Sequence, residues 1–134
     1  MDWIINAIID DIEQHLKLRV KVGTLPQRGG IAMYIGSGAP QSKYMDRGTL
    51  NTIYATLNAK NREQQKAVAL LEQIHDYLNR LQNYPNGERY GISWQITDVS
   101  TSSAPSFIGQ ECDGQYLYGS ILQIKFYYGG QYGK

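Results

Sequence analysis

A single cysteine, Cys112, leaves the 134-residue chain with no intramolecular disulfide to form. That excludes a stapled secreted scaffold and makes a reducing cytoplasm the natural setting. Net charge is nearly absent: 13 basic and 12 acidic residues leave a formal +1, so no global field steers nucleic acid or an anionic membrane. No apolar run is long enough for a membrane span, and the opening MDWIINAIIDDIEQHL carries acids where a secretory leader needs bases. A soluble chain is the expectation. Phenylalanine is scarce, with two residues, whereas tyrosine is abundant, with eleven. Tyrosine has a large apolar body and a polar tip, which suits half-exposed strand faces and interfaces.

What remains is an ordinary globular composition, 42% hydrophobic and 19% charged, with length for one domain over residues 1–134. Ile5, Ile8, Ile9, Ile12 and Leu16 recur at helical spacing, with Asp2 placed as an N-cap and Asp10, Asp11 and Glu13 on a solvated face. Alternation predicts strands over 18–22 and 31–35, separated by Pro26 and Gly29-Gly30. Residues 36–48 hold three glycines and a proline and read as a long loop. A third strand is predicted over 49–59. An amphipathic helix follows over 62–83, its stripe made by Ala67, Leu70, Leu71, Ile74, Leu78 and Leu81. Asn61 and Gln64 have capping-box spacing at its start, and Pro85-Asn86-Gly87 ends it. Tyr90, Ile92, Trp94 and Ile96 alternate as a fourth strand. A loop is predicted from Thr101 to Gly114, then a last strand over 116–128 and a frayed tail. The predicted class is α+β: a mostly antiparallel sheet of about five strands with two helices on one face, in the order α-β-β-β-α-β-β.

No residue set assembles chemistry. His15 and His75 lack second ligands at i+3 or i+4, and no HExxH, CxxC or Cys–His spacing exists, so no metal site is predicted. Both read as surface or boundary histidines, with His15 placed favourably near a helix C-terminus. Glu111 and Asp113 flank Cys112, and their negative charge disfavours a nucleophilic thiolate. The Gly-x-Gly of GSGAPQ is neither a dinucleotide fingerprint nor a phosphate loop, and no nucleophile elbow occurs. The expectation is a protein with no catalytic, cofactor-binding or metal residues. A nucleic-acid module is the competing class: aromatic residues on a sheet face could stack bases. Arg19, Lys21, Lys43, Arg47 and Lys60 would supply the cations, but they are not clustered in the sequence.

Two stretches carry a resemblance, GTLNTIYATLNAKNREQQKAVALLEQIHDYLNRL and APSFIGQECDGQYLYGSILQIKFYY. Together they resemble the minor capsid or tail-completion proteins of long-tailed phages and prophages of Gram-positive bacteria. In those proteins a strand ends in a polar knuckle, here Asn58 to Gln65, and feeds an amphipathic helix. A Pro-x-Phe-Ile/Leu-Gly stretch, here Pro105, Phe107, Ile108 and Gly109, then leads through an acidic glycine turn, Asp113-Gly114, into a Tyr-rich final strand. The resemblance implies a structural virion protein assembled in the bacterial cytoplasm. It would form a ring, typically hexameric, that caps the tail tube, contacts the head connector and lets genomic DNA pass without specific binding. Another head–tail neck component is the alternative within the virion. Interface candidates are Lys43, Tyr44, Met45, Asp46 and Arg47 in the first long loop, and Phe107 and Ile108 in the second. The expectation for Phe107 and Ile108 is weighted toward packing on the domain's own core.

Overall fold

The alternation expected over residues 116–128 is realised in the final strand. In the computed structural model, which describes residues 2–36 and 49–129, β6 (Tyr116–Tyr128) buries Tyr118, Ser120, Leu122, Ile124, Phe126 and Tyr128. The intervening residues stay half-exposed, so the two faces of the sheet differ. β6 lies between β3 (Thr49–Asn61) and β5 (Ile92–Gln110), antiparallel to both. Outside these are β2 (Gly30–Ile35), β1 (Val20–Val22) and β4 (Asn86–Arg89), completing the order β1-β2-β3-β6-β5-β4.

Helix α1 (Asp2–Leu16) and helix α2 (Gln64–Asn79) supply the opposing layer. Ile4, Ile5, Ile8, Ile9 and Ile12 of α1 are buried, as are Ala67, Leu71, Ile74 and Leu78 of α2. They join one core with Ile53, Leu57, Leu122, Ile124 and Phe126 of the sheet. Trp3 seals one end, 5.4 Å from Trp94, 5.5 Å from Tyr128 and 6.0 Å edge-on from Phe126. The helices are linked by Tyr77, whose hydroxyl donates to Asp11 Oδ2 at 3.1 Å. Burial, followed by that carboxylate, pushes the Tyr77 phenol up to about 12. Glu13 is also anchored, accepting the Val20 amide at 3.1 Å, so two members of the supposed solvated acidic face are structural. No helix among the described residues is long and apolar enough to cross a membrane.

Two α-helices against a largely antiparallel sheet agree with the predicted class, while the strand count and order differ. β1 runs parallel to β2, with Val20 opposite Ile31 and Val22 opposite Met33. Parallel neighbours normally need a long crossover. Here the return path is only about 10 Å, because β1 has three residues. Gly29 makes the tight return possible: a Cβ there would stand 2.7 Å from the Gln115 side chain, at a φ of +102°.

β4 is a strand the sequence pattern did not signal. It is short and polar, and its Asn86 and Gly87 also read as helix stops. A tight turn joins it to β5, with Tyr90 and Gly91 both at positive φ, 54° and 75°. Tyr90 therefore points outward instead of joining the buried face predicted for it, and its ring meets the Arg89 guanidinium at 5.1 Å. α2 is shorter than its stripe suggested and stops at Asn79, where the Tyr84 hydroxyl donates to Leu78 O at 2.6 Å. The anticipated capping box does not form. Asn61 Oδ1 accepts from the Glu63 amide instead, and the Gln64 side chain donates to the Tyr118 hydroxyl.

The largest correction concerns residues 101–114. Up to Gln110 this segment is the second half of β5, not a loop. Three register irregularities against β6, between Thr101 and Gly109, break the two-residue period that would have announced a strand. Asp2, expected as an N-cap, lies within α1, while most of the 36–48 loop and nearly all of the tail lie outside the described residues.

Candidate assembly surfaces

β4 covers the outer edge of β5 only along Ile92–Gln95. Beyond that point no described strand pairs with β5 on that side, which leaves an open edge along residues 101–110. All of these residues except Pro105 and Gly109 are exposed. Proline lacks the amide a sheet ladder needs and bulges disrupt pairing, so both are common guards on an open edge.

Phe107 and Ile108 lie on this edge, where they are 53% and 58% exposed. The expected packing into the core does not occur. Phe107 sits on the helix side, with its ring 5.6 Å from Tyr118 and 6.4 Å from Tyr116. Ile108 falls at an irregularity and turns to the other face, its Cδ1 over Gly119, where a Cβ would be only 2.6 Å away. The two side chains thus straddle the strand. Lys43, Tyr44, Met45, Asp46 and Arg47 lie outside the described residues.

The hairpin beyond them is closely specified. Asp113 accepts from both the amide and the side chain of Gln115, at 3.1 and 2.7 Å. Those bonds hold its carboxyl below the usual range. Gly114 takes φ +90° and closes a turn to Glu111. Lys60, considered above as a nucleic-acid contact, is buried and bonded to Glu111 at 3.2 Å. Cys112 is exposed in the same turn.

Two hollows flank the β5 edge. On the helix side a cavity of about 370 Å³ lies between α2 and the strand, lined by Glu72, Asp76, Thr101, Ala104 and Pro105 among others. On the open sheet face a groove of about 410 Å³ runs past Tyr34, Thr56, Asn58, Ile108 and Ile121. Asn58 Oδ1 is buried there without a hydrogen-bond partner, which is uncommon for such a group.

His75, read from sequence as a surface or boundary histidine, is instead buried. Its Nδ1 lies 2.7 Å from Thr101 Oγ1 and its Nε2 lies 2.8 Å from Ser120 Oγ. The hydrogen bonds have one consistent direction. Asn79 donates to Thr101, Thr101 to Nδ1, Nε2–H to Ser120, and Ser120 to the Leu57 carbonyl. Ser120 gives its proton to Leu57, so Nε2 carries a hydrogen, and burial favours the neutral ring in which Nδ1 accepts from Thr101. Burial lowers the His75 pKa, partly opposed by Asp76. The Ser120 proton is committed to a backbone carbonyl, so this chain ties α2 to β3, β5 and β6 and prepares no nucleophile. One signal was legible: Ser120 interrupts the inward apolar row of β6, and His75 adjoins the helix stripe.

Among the described residues no cluster of three or more His, Cys, Asp or Glu side chains could hold a metal. No protein-family model matches this chain, and neither does any curated protein sequence.

Proposed function

We propose that the chain is a structural subunit of virion assembly: a ring-forming tail-completion protein that caps a phage tail tube and presents a surface to the head connector. The observation that carries the proposal is the exposure of Phe107 and Ile108 on opposite faces of an open strand edge. A scattered exposed apolar residue needs no explanation. Two large adjacent ones on an edge with unpaired backbone form a surface that protein contact would cover.

The same residues belong to the stretch that resembles tail-completion proteins. Pro105, Phe107, Ile108 and Gly109 lead into the Asp113-Gly114 turn, and together these positions form the distal end of one long hairpin. A hairpin end with apolar flanks is a suitable element for contact between subunits. Tyr34 and Leu50 add further exposed apolar area on the sheet.

The test is localisation and complementation in a phage that encodes this chain. Tails made without the gene should fail to join heads, and purified protein should restore joining. Immunogold label should sit at the tail tip. Label on the connector alone would replace this reading with another neck component. Normal joining without the protein would overturn the virion reading.

A further inference from the structure

Among the described residues, apart from the outer side of β4, the β1 edge and the 101–110 stretch of β5 lack a neighbouring strand, and they lie at the same height. Across the strands Val20 aligns with Ile31, Ala59, Tyr118 and then Phe107. Val22 aligns with Met33, Leu57 and Ser120, and the neighbours of Ser120 pair with Ser103 and Ser106. The short β1 edge is therefore level with the uncovered 103–107 stretch of β5 on the far side. β4 does not interfere, because it covers only the other end of β5. The pairings also make β1 antiparallel to β5.

The two edges carry opposite charge. Residues 17–36 contain Lys17, Arg19, Lys21 and Arg28 and no acid, and all four cations are exposed. Glu13 is the nearby acid and is engaged with the Val20 amide. At the β5 edge the cavity wall presents Glu72 and Asp76. These two exposed acids stand at i and i+4 on α2, an arrangement that costs stability in an isolated helix. Neither forms an ion pair among the described residues. Val22 adds exposed apolar surface on one edge, and Phe107 does so on the other.

From this we infer that a second copy of this chain docks its β1 edge, antiparallel, against the Ser103–Phe107 edge of β5, with Lys17 and Arg19 set against Glu72 and Asp76. The contact is heterologous, because each copy offers one edge of each kind, so repetition closes a ring when the rotation permits. β1 is short and β5 is bulged, so few backbone bonds can form, and charge complementarity supplies most of the partner selection. The inference rests on the self-assembly part of the proposed function and names the surfaces that make it.

The experiment is a charge swap read by sedimentation velocity on the full chain at low and moderate salt. One variant carries Lys17→Glu and Arg19→Glu; the other carries Glu72→Lys and Asp76→Lys. All four positions are outside the buried core, and circular dichroism checks folding. Wild type should self-associate, with association weakening about tenfold or more as salt rises from low to near-molar levels. Each variant alone should be monomeric. Their equimolar mixture should assemble, because both reversed edges are complementary again.

Variants that assemble like wild type, or a mixture that stays monomeric, would overturn the inference. So would a wild type that never associates, or one whose basic edge binds DNA oligonucleotides while the chain remains monomeric. Head joining is a separate readout. A chain that passes the charge swap yet has no role in joining refutes the virion reading while leaving this contact standing.

Discussion

Acid should loosen this domain through one residue. In the folded chain His75 is neutral, held between Thr101 and Ser120, and burial has lowered its pKa from 6.5. Above pH 6.5 the imidazole is largely neutral in both folded and unfolded chains, so it adds no pH dependence. Below that value the unfolded chain takes up a proton that the folded chain refuses. The unfolded state then binds more protons, and unfolding free energy falls as pH falls. For one proton the slope cannot exceed about 1.4 kcal/mol per pH unit. It levels off once the folded state also protonates.

The charged groups near His75 are Asp76, its neighbour in sequence, and Glu72, on the same cavity wall. Asp76 opposes the shift without reversing it. His75→Gln keeps a donor and an acceptor but removes the titration. Urea denaturation of both proteins at pH 8.0, 6.5 and 5.5, followed by circular dichroism, gives the comparison. Wild type should lose up to about 1 kcal/mol more than the variant between pH 6.5 and 5.5. Parallel pH profiles would refute the assignment of a buried neutral imidazole.

Other expectations separate core from surface. Phe126→Ala removes a fully buried ring and should cost about 3–5 kcal/mol in denaturant titration. Phe107→Ser combined with Ile108→Ser should cost less than half of that, since both side chains are more than half exposed. The same variant should lose self-association in light scattering, and retention of full assembly would contradict the role given to this edge. Gly119→Ala places a methyl 2.6 Å from Ile108 Cδ1 and 2.8 Å from Asn58 Oδ1. It should cost less than about 1 kcal/mol, because both atoms are side-chain ends and the exposed Ile108 can turn away; a larger loss in urea denaturation would show that these side chains are held in place.

The elements legible in the sequence are those whose burial has a simple period. β6 alternates without interruption along its length, and each helix shows one apolar stripe. The outer half of β5 was illegible because its register shifts against β6 break the two-residue period along a polar, Ser-rich edge. An edge with no partner on one side needs no alternation. β4 was hidden because four polar residues form a strand only by pairing with β5. His75 was misread because its partners are distant in sequence, at Thr101 and Ser120. A lone histidine beside a stripe does not reveal them. At the proposed surface, Phe107 and Ile108 were found as candidates from composition, but their exposure emerged only with the strand geometry.

The proposed ring closes through the β1 and β5 edges of neighbouring copies. Multi-angle light scattering on the purified wild-type chain, over two decades of concentration at low salt, tests it most directly. A single larger species of fixed stoichiometry, in equilibrium with monomer, is the predicted result. A monomer at every concentration, or growth without a limiting size, would contradict a closed ring.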